Sequence, residues 1–428
     1  GVALEPYIMN TTGNLFQTSK SFDEKAIPYR HIQNDTRGYI AELLAKAVNQ
    51  GALDEELNEE DRASLLSLLQ AFGPLGAENF GGGSSEEYTY YGSTRTGCDP
   101  DPNNRRTPNT FYKCEVPEAM SFEQLLRSEF WREGFYSPVE FEWQPTLFQP
   151  VGGMDMIVEG FLRHIGHLII YNAPVVDIDV QDDGVSVTYL DGASEVTETA
   201  DYCVSNIPCP VLNRISNNFA PDFAQAVQRT KFASACKVGW QCNTRFWESN
   251  KNEIYGGISW TDDMIEQIWY PSNDYFSQKG TLTGAYIHDG YLEGDPKPAT
   301  EFGKLTLSRR LIVAKQGGAR LHEEFKDDSI VPTALGLSIA WQYVPFLEGS
   351  WPLWGLNQHD NLDYRRLLLP DRRFYVVGDQ ASTLPGWQEG AMMSAEHVVE
   401  LIAGLKPHEI PDDTGAPSTR KSVRGYGR

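Results

Sequence analysis

The segment that most restricts the fold of this chain lies near its end, at residues 374–404, FYVVGDQASTLPGWQEGAMMSAEHVVELIAG. It predicts a buried strand that ends in Gly378 and Asp379, then a turn, then a helix from about Gln388. Glycine lets a ligand approach the backbone, and an aspartate at a strand end accepts hydrogen bonds from ligand hydroxyls. A small residue such as Gly390 leaves backbone N–H groups at the helix start open to phosphate. The segment predicts a ligand site, although an ordinary strand–turn–helix unit would show the same pattern.

The rest of the chain predicts a mixture of helices and strands. Apolar spacing and glycine stops predict helices at 35–51, 54–73, 121–135 and 302–316. We expect Asp35 or Thr36 to cap the first of these, and Ser121 to cap the third. Strands are predicted in a hairpin within 149–208, and at 234–247 and 280–290. Residues 149–208 on their own are typical of any α/β module.

Charge and length restrict the partners of this 428-residue chain. Its length and its 40% of apolar residues suit two or three domains with separate cores. The net charge of −23 repels nucleic acid and anionic membranes, so neither is an expected partner. No apolar run approaches the roughly 18 residues of a membrane-spanning helix.

The six cysteines form no CxxC pair, which argues against a zinc ribbon, and no metal is expected. Cys98 and Cys114 flank a loop rich in Pro, Asn and Arg, and they either close it with a disulfide or remain free thiols. Glycosylation sequons begin at Asn10 and Asn34. Because sequons often arise by chance, they favour a secreted or extracytoplasmic location only slightly.

Residues 376–393, VVGDQASTLPGWQEGAMM, resemble the C-terminal flavin-binding motif of the flavin monoamine oxidase family, and within it the flavin-dependent L-amino-acid oxidases. In that motif Gly-Glu or Gly-Asp is followed by a Gly-aromatic turn and by Glu-Gly-Ala. L-Amino-acid oxidases usually carry Gly-Trp at the turn, as this chain does at Gly386 and Trp387, where monoamine and polyamine oxidases usually carry Tyr. The resemblance implies FAD, held non-covalently because no cysteine lies between 374 and 404.

The resemblance covers residues 149–404 well and 1–148 weakly, and it implies roles for single residues. Val175 matches a residue whose backbone contacts the adenine, and Lys237, in KVGWQCNTRFWE, matches a lysine that holds a water near flavin N5. The resemblance implies that the cofactor contacts Val175, Trp351, Gly378, Asp379, Gly386, Trp387 and Gln388. Trp354 is a second candidate, beside Trp351, for packing against the flavin ring.

The implied catalytic residues are Lys237, Tyr286 and Trp387. Tyr286, in GAYIHDG, matches the tyrosine whose hydroxyl binds the substrate carboxylate. The backbone oxygen of Gly386 would orient the substrate amino group, and Trp387 would wall the pocket. Each of these side chains taken alone has an ordinary explanation, as a solvated strand lysine or as a core aromatic residue.

One part of the family pattern has no match in this sequence. The family binds the ADP half of FAD with a GxGxxG turn near its N-terminus, and Gly81, Gly82 and Gly83 lack the preceding strand. The arginine that clamps the substrate carboxylate also has no matching position. We therefore expect an N-terminal chain of the same precursor, separated by proteolytic processing, to carry both. The mature unit is expected to be a homodimer, as family members often are.

The implied fold is α/β with mixed α+β parts, in which pieces of a Rossmann-like FAD-binding domain are interleaved with a substrate-binding domain of mixed sheet and helices. The expected helical part of the substrate domain is 1–148, and the central substrate-binding part is 209–350. The FAD-binding domain takes 149–208 and 351–405, and 406–428 is a flexible tail.

The implied reaction is oxidative deamination of an L-amino acid by hydride transfer from Cα to flavin N5. The small-molecule partners are then the amino acid and O2, and the products are a 2-oxo acid, ammonia and H2O2. Alternatives are an L-amino-acid 2-monooxygenase, an amine or polyamine oxidase, and an inactive flavin-binding regulatory subunit. An amine oxidase would lack carboxylate recognition, so Tyr286 and Trp387 argue against it.

Overall fold

A computed structural model describes residues 1–53, 57–76, 87–97, 117–134, 140, 143, 147–290, 295–355 and 358–405. The strands are β1 (Leu4–Pro6), β2 (Leu15–Gln17), β3 (Ile27–Pro28), β4 (Phe148–Pro150), β5 (Val175–Val180), β6 (Val185–Asp191), β7 (Ser194–Ala200), β8 (Cys203–Ser205), β9 (Ser216–Asn217), β10 (Ala235–Cys242), β11 (Ile258–Thr261), β12 (Gln267–Trp269), β13 (Gly280–His288), β14 (Gly336–Ala340) and β15 (Phe374–Val376). The helices are α1 (Tyr29–Asn49), α2 (Glu59–Phe72), α3 (Phe122–Ser128), α4 (Asp155–Ile165), α5 (Cys209–Leu212), α6 (Pro221–Arg229), α7 (Pro298–Gly303), α8 (Leu307–Leu321), α9 (Leu362–Leu367) and α10 (Gln388–Ile402).

The structure confirms the mixed α/β fold, with several sheets. Cys98, Cys114, Gly81–Gly83 and the predicted tail lie outside the described residues. The expected disulfide alternatives and the domain boundaries therefore stay predictions. Among the helices that are described, none has the length and apolar content that a membrane crossing requires.

The largest sheet has seven strands in the order β14-β10-β13-β12-β11-β2-β3. One of its faces packs against α8 and buries apolar side chains that alternate along β10, among them Val238 and Trp240. The same alternation places Lys237 and Gln241 on the opposite face, which we call the open face. The predicted strands at 234–247 and 280–290 form neighbouring strands of this sheet, β10 and β13.

A β-bulge in β13 decides which of its side chains reach the open face. Gly284 is an extra residue between two successive pairs of the β10–β13 ladder. Strict alternation from the buried Leu282 would bury Tyr286 as well. Because of the extra residue, Ala285 and Ile287 enter the core instead, and Tyr286 turns to the open face.

A second group of elements combines the four-stranded sheet β7-β6-β5-β9 with the parallel pair β8–β15. Helices α6 and α9 cover their common core, which contains Ile178, Val180, Phe223, Tyr364, Phe374 and Val376. Helix α10 packs through Val398 and Leu401 onto Tyr375 and Val377, on the other side of β15. The predicted strand–turn–helix unit near the end of the chain is thus present, with its helix beginning at Gln388 as expected.

Helix α1 begins at Tyr29, six residues before the predicted cap. Asp35 lies inside this helix and does not cap it. Its carboxylate is buried and accepts hydrogen bonds from the Tyr90 hydroxyl at 2.6 Å and from the Met120 N–H at 2.8 Å. Both partners come from distant segments of the chain. Asp35, which the local sequence predicts as a helix cap, therefore makes a tertiary contact instead.

The other predicted helices differ at their ends. Helix α2 begins at Glu59, where Asn58 caps it by accepting the Asp61 N–H at 2.8 Å. Ser121 precedes α3 but its side chain makes no capping bond, and α3 ends where Glu129 takes a left-handed conformation. The helix predicted at 302–316 is divided between α7 and α8, because Thr306 caps a new helix at Leu307.

The bulge at Gly284 gives a test of the fold. A Cβ on this residue would lie 2.5 Å from the buried Trp240 ring and 3.1 Å from Phe325, and these buried rings have little room to move. We expect Gly284→Ala to lower the free energy of unfolding by about 1–3 kcal/mol, measured by urea denaturation. The matched control is Gly239→Ala on β10, where the nearest atom is 3.4 Å from the added Cβ. Equal stability of the two variants would contradict the argument.

Candidate active site

Three side chains meet on the open face of the seven-stranded sheet. Lys237 of β10 pairs with Tyr286 of β13, and its Nζ lies 4.4 Å from the centre of the Tyr286 ring. Trp269 of β12 lies with its ring 5.4 Å from that of Tyr286 and 5.9 Å from the lysine Nζ. Strand pairing therefore brings the predicted lysine and tyrosine together, since side chains of neighbouring strands on one face lie side by side.

A chain of neighbouring rings joins this face to the turn before α10. We call its six members the aromatic cage: Trp143, Trp269, Tyr286, His288, Trp351 and Trp387. The ring centres of Trp387 and Trp143 are 5.3 Å apart, and those of Trp143 and Trp269 are 5.6 Å apart. Both pairs are close to edge-to-face, the favoured arrangement of aromatic pairs.

The cage closes on its other side through His288. The ring centre of His288 lies 6.3 Å from that of Tyr286 and 6.3 Å from that of Trp351. Trp351 in turn packs against Gly386, where a Cβ would lie 3.5 Å from the tryptophan Cβ. All six cage residues are half-buried, which is the burial expected of side chains that line a concave ligand site.

The turn that carries Gly386 is held by Asp379. One oxygen of this carboxylate accepts the Gly386 N–H at 2.8 Å, so part of the hydrogen-bonding capacity that was predicted for ligand hydroxyls serves the turn itself. Burial raises the pKa of the Asp379 carboxyl, and the hydrogen bond from Gly386 opposes that shift. Gly378, with φ of 105°, supplies a backbone conformation before Asp379 that side chains rarely adopt.

The start of α10 keeps backbone donors available. Trp387 is the capping residue, and its side chain makes no capping hydrogen bond. Gln388, the first helical residue, is exposed. Free N–H groups at the positive end of a helix dipole attract anions or polar ligand atoms.

The ammonium group of Lys237 lies beside the Trp269 and Tyr286 rings in unusual electrostatic surroundings. Burial lowers the pKa of its ammonium group, because surrounding protein atoms displace much of its hydration. The residue is still accessible to solvent, and within the described residues no carboxylate pairs with it. Such a lysine loses its proton more readily than an ordinary surface lysine and can hydrogen-bond a water at the site.

Two titratable groups that the sequence did not reveal lie at the edge of the cage. The Glu266 Oε2 accepts the backbone N–H of His288 at 3.1 Å and lies 3.6 Å from its Nε2. The pKa of Glu266 is raised to about 8, mainly by burial and to a smaller extent by the charges of Glu133 and Asp289, while the hydrogen bond from His288 opposes the shift. Burial lowers the pKa of His288, so its imidazole is neutral near pH 7.

The structure thus brings Lys237, Tyr286, Trp351, Gly386 and Trp387 to the cage. The turn that supports the cage contains Gly378, Asp379 and Gln388.

Two of the residues singled out from the sequence lie elsewhere. Val175 begins β5 in the four-stranded sheet and packs at the border of its core. Trp354 lies in that core, only 7% exposed, and its indole donates to the Gln380 carbonyl at 3.1 Å. Trp354 therefore stabilises the fold and does not present a surface to a ligand ring.

Some of the missed residues left a signal in the sequence. His288 follows Tyr286 by two positions on a predicted strand, so alternation alone places it on the same face. Trp269 lies on β12, the strand next to β13, and its ring also faces Tyr286. Trp143 lies between predicted elements, and no local pattern links it to the turn at Trp387.

Comparisons with known proteins show which family this chain is similar to. The family described as flavin containing amine oxidoreductase matches residues 119–403. The flavin-dependent L-tryptophan oxidase RebO of Lentzea aerocolonigenes is 29% identical over 271 residues, which are 63% of this chain and 55% of that protein. An L-amino-acid oxidase of Demansia vestigiata is 30% identical over 278 residues, 63% of this chain and 51% of that protein. The chain thus spans little more than half the length of these relatives.

Solved structures share the fold at lower identity. Wild-type putrescine oxidase bound to putrescine superposes with a TM-score of 0.53 at 14% identity, over 94% of this chain and 83% of that one. A redesigned triple mutant of putrescine oxidase superposes with a TM-score of 0.56 at 14% identity, over 95% and 83%. Because the family match extends over most of the sequence, this chain belongs to the flavin-containing amine oxidoreductases.

Proposed function

We propose that this chain catalyses FAD-dependent oxidative deamination of an L-amino acid to a 2-oxo acid, ammonia and H2O2. The observation that carries the proposal is the aromatic cage, which joins Lys237 and Tyr286 on the sheet to the Gly386–Trp387 turn. The resemblance to L-amino-acid oxidases implies that these four residues belong to one site. In this structure they lie close together although they come from three separate parts of the chain. The relatives named as L-amino-acid oxidases support the same substrate class.

The residues fit one end of a flavin. Gly386 is exposed, carries no side chain and lies against the flat Trp351 ring, which leaves room for a planar ligand. The uncapped start of α10 supplies backbone donors. Trp351, Gly386, Trp387 and Gln388 would hold the ring system, and Val175 and the Gly378–Asp379 pair would lie along the rest of the cofactor. No cysteine lies in this segment, which supports non-covalent binding.

When bound, the flavin would accept a hydride from the substrate Cα and deliver the electrons to O2. The Tyr286 hydroxyl binds the substrate carboxylate, and the Gly386 carbonyl accepts a hydrogen bond from the amino group. Trp387 and Trp143 exclude water from the reacting atoms. Orientation of this kind supplies several kcal/mol of the barrier. Because the substrate amine must be neutral to be oxidised, we expect kcat/KM to rise with pH.

We also propose that a separate N-terminal chain of the same precursor, with a GxGxxG turn and a carboxylate-binding arginine, completes the FAD site. Two observations support it. Helix α4, its capping residue and the residues after it have no side chain in the buried class, and several of their large apolar side chains are exposed, among them Met154, Val158, Phe161, Ile165, Leu168, Ile170 and Tyr171. The parallel pair β8–β15 has two strands of three residues each, too few for independent stability.

The first prediction concerns the substrate. In the FAD-loaded complex we expect peroxide from at least one L-amino acid, and Tyr286→Phe should lower kcat/KM for it about 10- to 150-fold, as loss of a charge-assisted hydrogen bond does. The amine with the same side chain, which lacks the carboxylate, should show no such loss. The control is Tyr275→Phe, whose hydroxyl donates to the Tyr255 carbonyl instead.

Peroxide from amines alone would replace the proposal with an amine oxidase. Carbon dioxide and an amide product would indicate a 2-monooxygenase. An FAD-loaded complex that makes peroxide from no amino acid and no amine would indicate an inactive regulatory subunit.

The second prediction concerns Lys237. We expect Lys237→Met to slow reoxidation of the reduced flavin by O2 at least about tenfold, because a positioned proton-transfer group is lost. Anaerobic reduction by substrate should change less. Stopped-flow absorbance separates the two half-reactions, and Lys279→Met, at an exposed position, serves as the control. An equal loss in both half-reactions would contradict this role.

The third prediction concerns the partner chain. Leu168→Asp should reduce co-purification of the second chain and FAD content, because it places a charge on the face that the partner would cover. Leu362→Asp is the matched control, since both leucines are largely exposed, at 69% and 77%. A chain that binds FAD and unfolds cooperatively as an isolated monomer would disprove the proposed partner.

A further inference from the structure

Glu266 places a carboxylate beside the aromatic cage, away from the catalytic residues proposed above. It follows the turn between β11 and β12 and adopts φ of 55°, a left-handed conformation that residues other than glycine rarely occupy. Backbone strain of this kind persists where the surrounding structure requires a side chain in one place. Here it brings the Glu266 carboxylate to the end of β13, against the His288 ring.

Among the described residues, no lysine or arginine lies in an ion pair with Glu266, which makes its electrostatic surroundings unusual. The charged groups that act on it are Glu133 and Asp289. Asp289 is itself engaged by the N–H and hydroxyl of Thr300, and the His288 imidazole is neutral near pH 7 because burial lowers its pKa. A half-buried acid in such surroundings attracts a cation that a ligand brings.

The spacing along β13 suits an amino acid with a long side chain. Tyr286 and His288 lie two positions apart on one face, about 6.6–6.8 Å along a strand, and their ring centres are 6.3 Å apart. An extended lysine side chain separates Cα from its ammonium group by about 6 Å, given bonds of about 1.5 Å. A substrate anchored by its carboxylate at Tyr286 could therefore reach His288, and Trp351 would offer an aromatic face to the cation.

We propose that Glu266 selects L-amino acids with a positively charged side chain, such as lysine or arginine, by forming an ion pair at the His288 end of the aromatic cage. This inference rests on the proposed L-amino-acid oxidase activity and adds its substrate class. Glu266 acts on the far end of the substrate and takes no part in the transfer from Cα.

The test compares matched substrates in the FAD-loaded complex. L-Norleucine and L-citrulline replace the charged ends of L-lysine and L-arginine with neutral groups. The wild type should prefer lysine to norleucine in kcat/KM, and Glu266→Gln should reduce that ratio by at least about 30-fold, as removal of one partner of a buried charge pair does. Norleucine itself should change less than about threefold. Glu301→Gln, at an exposed position, should leave the ratio unchanged.

The outcomes separate the two proposals. If neutral L-amino acids are oxidised and the lysine-to-norleucine ratio is the same in Glu266→Gln, the role of Glu266 is wrong and the oxidase activity stands. A wild type that prefers norleucine also overturns the role of Glu266. If no L-amino acid yields peroxide, the proposed function fails and the selection by Glu266 fails with it.

A binding measurement gives a readout that does not depend on turnover. 2-Methyl-L-lysine has no hydrogen on Cα and cannot be oxidised. Because the pKa of Glu266 is raised to about 8, this carboxyl is mostly protonated at pH 7, and a bound cation should expel that proton. Calorimetry in buffers of different ionisation heat should find up to about one more proton released by the wild type than by Glu266→Gln. Equal proton release would overturn the ion pair.

Discussion

The pairing of β10 with β13 is the contact on which the candidate site depends. It sets Lys237 opposite Tyr286 and leaves both on the face of the sheet that α8 does not cover. A slip of one residue in either strand would turn one of them into the core. The bulge at Gly284 protects this register, because the buried Trp240 ring occupies the space that any side chain there would need.

Burial moves the site's titratable groups toward their neutral forms. The pKa of Lys237 and of His288 is lowered, and the pKa of Glu266 is raised. The physical cause is the same in each case, because protein atoms remove hydration that these groups would need when charged. A charged ligand would shift these pKa values again. Binding of a substrate carboxylate or ammonium group would therefore be linked to the uptake or release of protons by these residues. That coupling is the basis of both the proposed deamination and the proposed selection for cationic side chains.

The two groups of elements differ in how much apolar surface they leave exposed. The seven-stranded sheet and α8 enclose an apolar core, whereas α4 has no buried residue and leaves Val158, Phe161 and Ile165 exposed. The open face that carries the candidate site is therefore supported from behind by a packed core. The side around α4 and β8 leaves apolar side chains exposed among the described residues, and apolar faces of this kind are normally buried against another element. This asymmetry is the physical reason for proposing that a second chain completes the FAD site.

The sequence by itself determined the local elements and several site residues. Alternating and continuous apolar patterns predicted β10, β13 and β15, and the resemblance near the end of the chain predicted Gly386 and Trp387. Local patterns failed where a distant partner decided the outcome. Asp35 became a buried acceptor inside α1, and a single extra residue at Gly284 shifts the alternation of side chains along β13.

Only the tertiary structure decided which side chains complete the site around Lys237 and Tyr286. Trp143 and Glu266 are far apart in the chain, and no periodic pattern connects them. Their contacts depend on how the turn before α10 and the Trp143 side chain pack against the sheet. Such packing is set by the shape and burial of many side chains at once, whereas a local pattern reports only the few residues within one element.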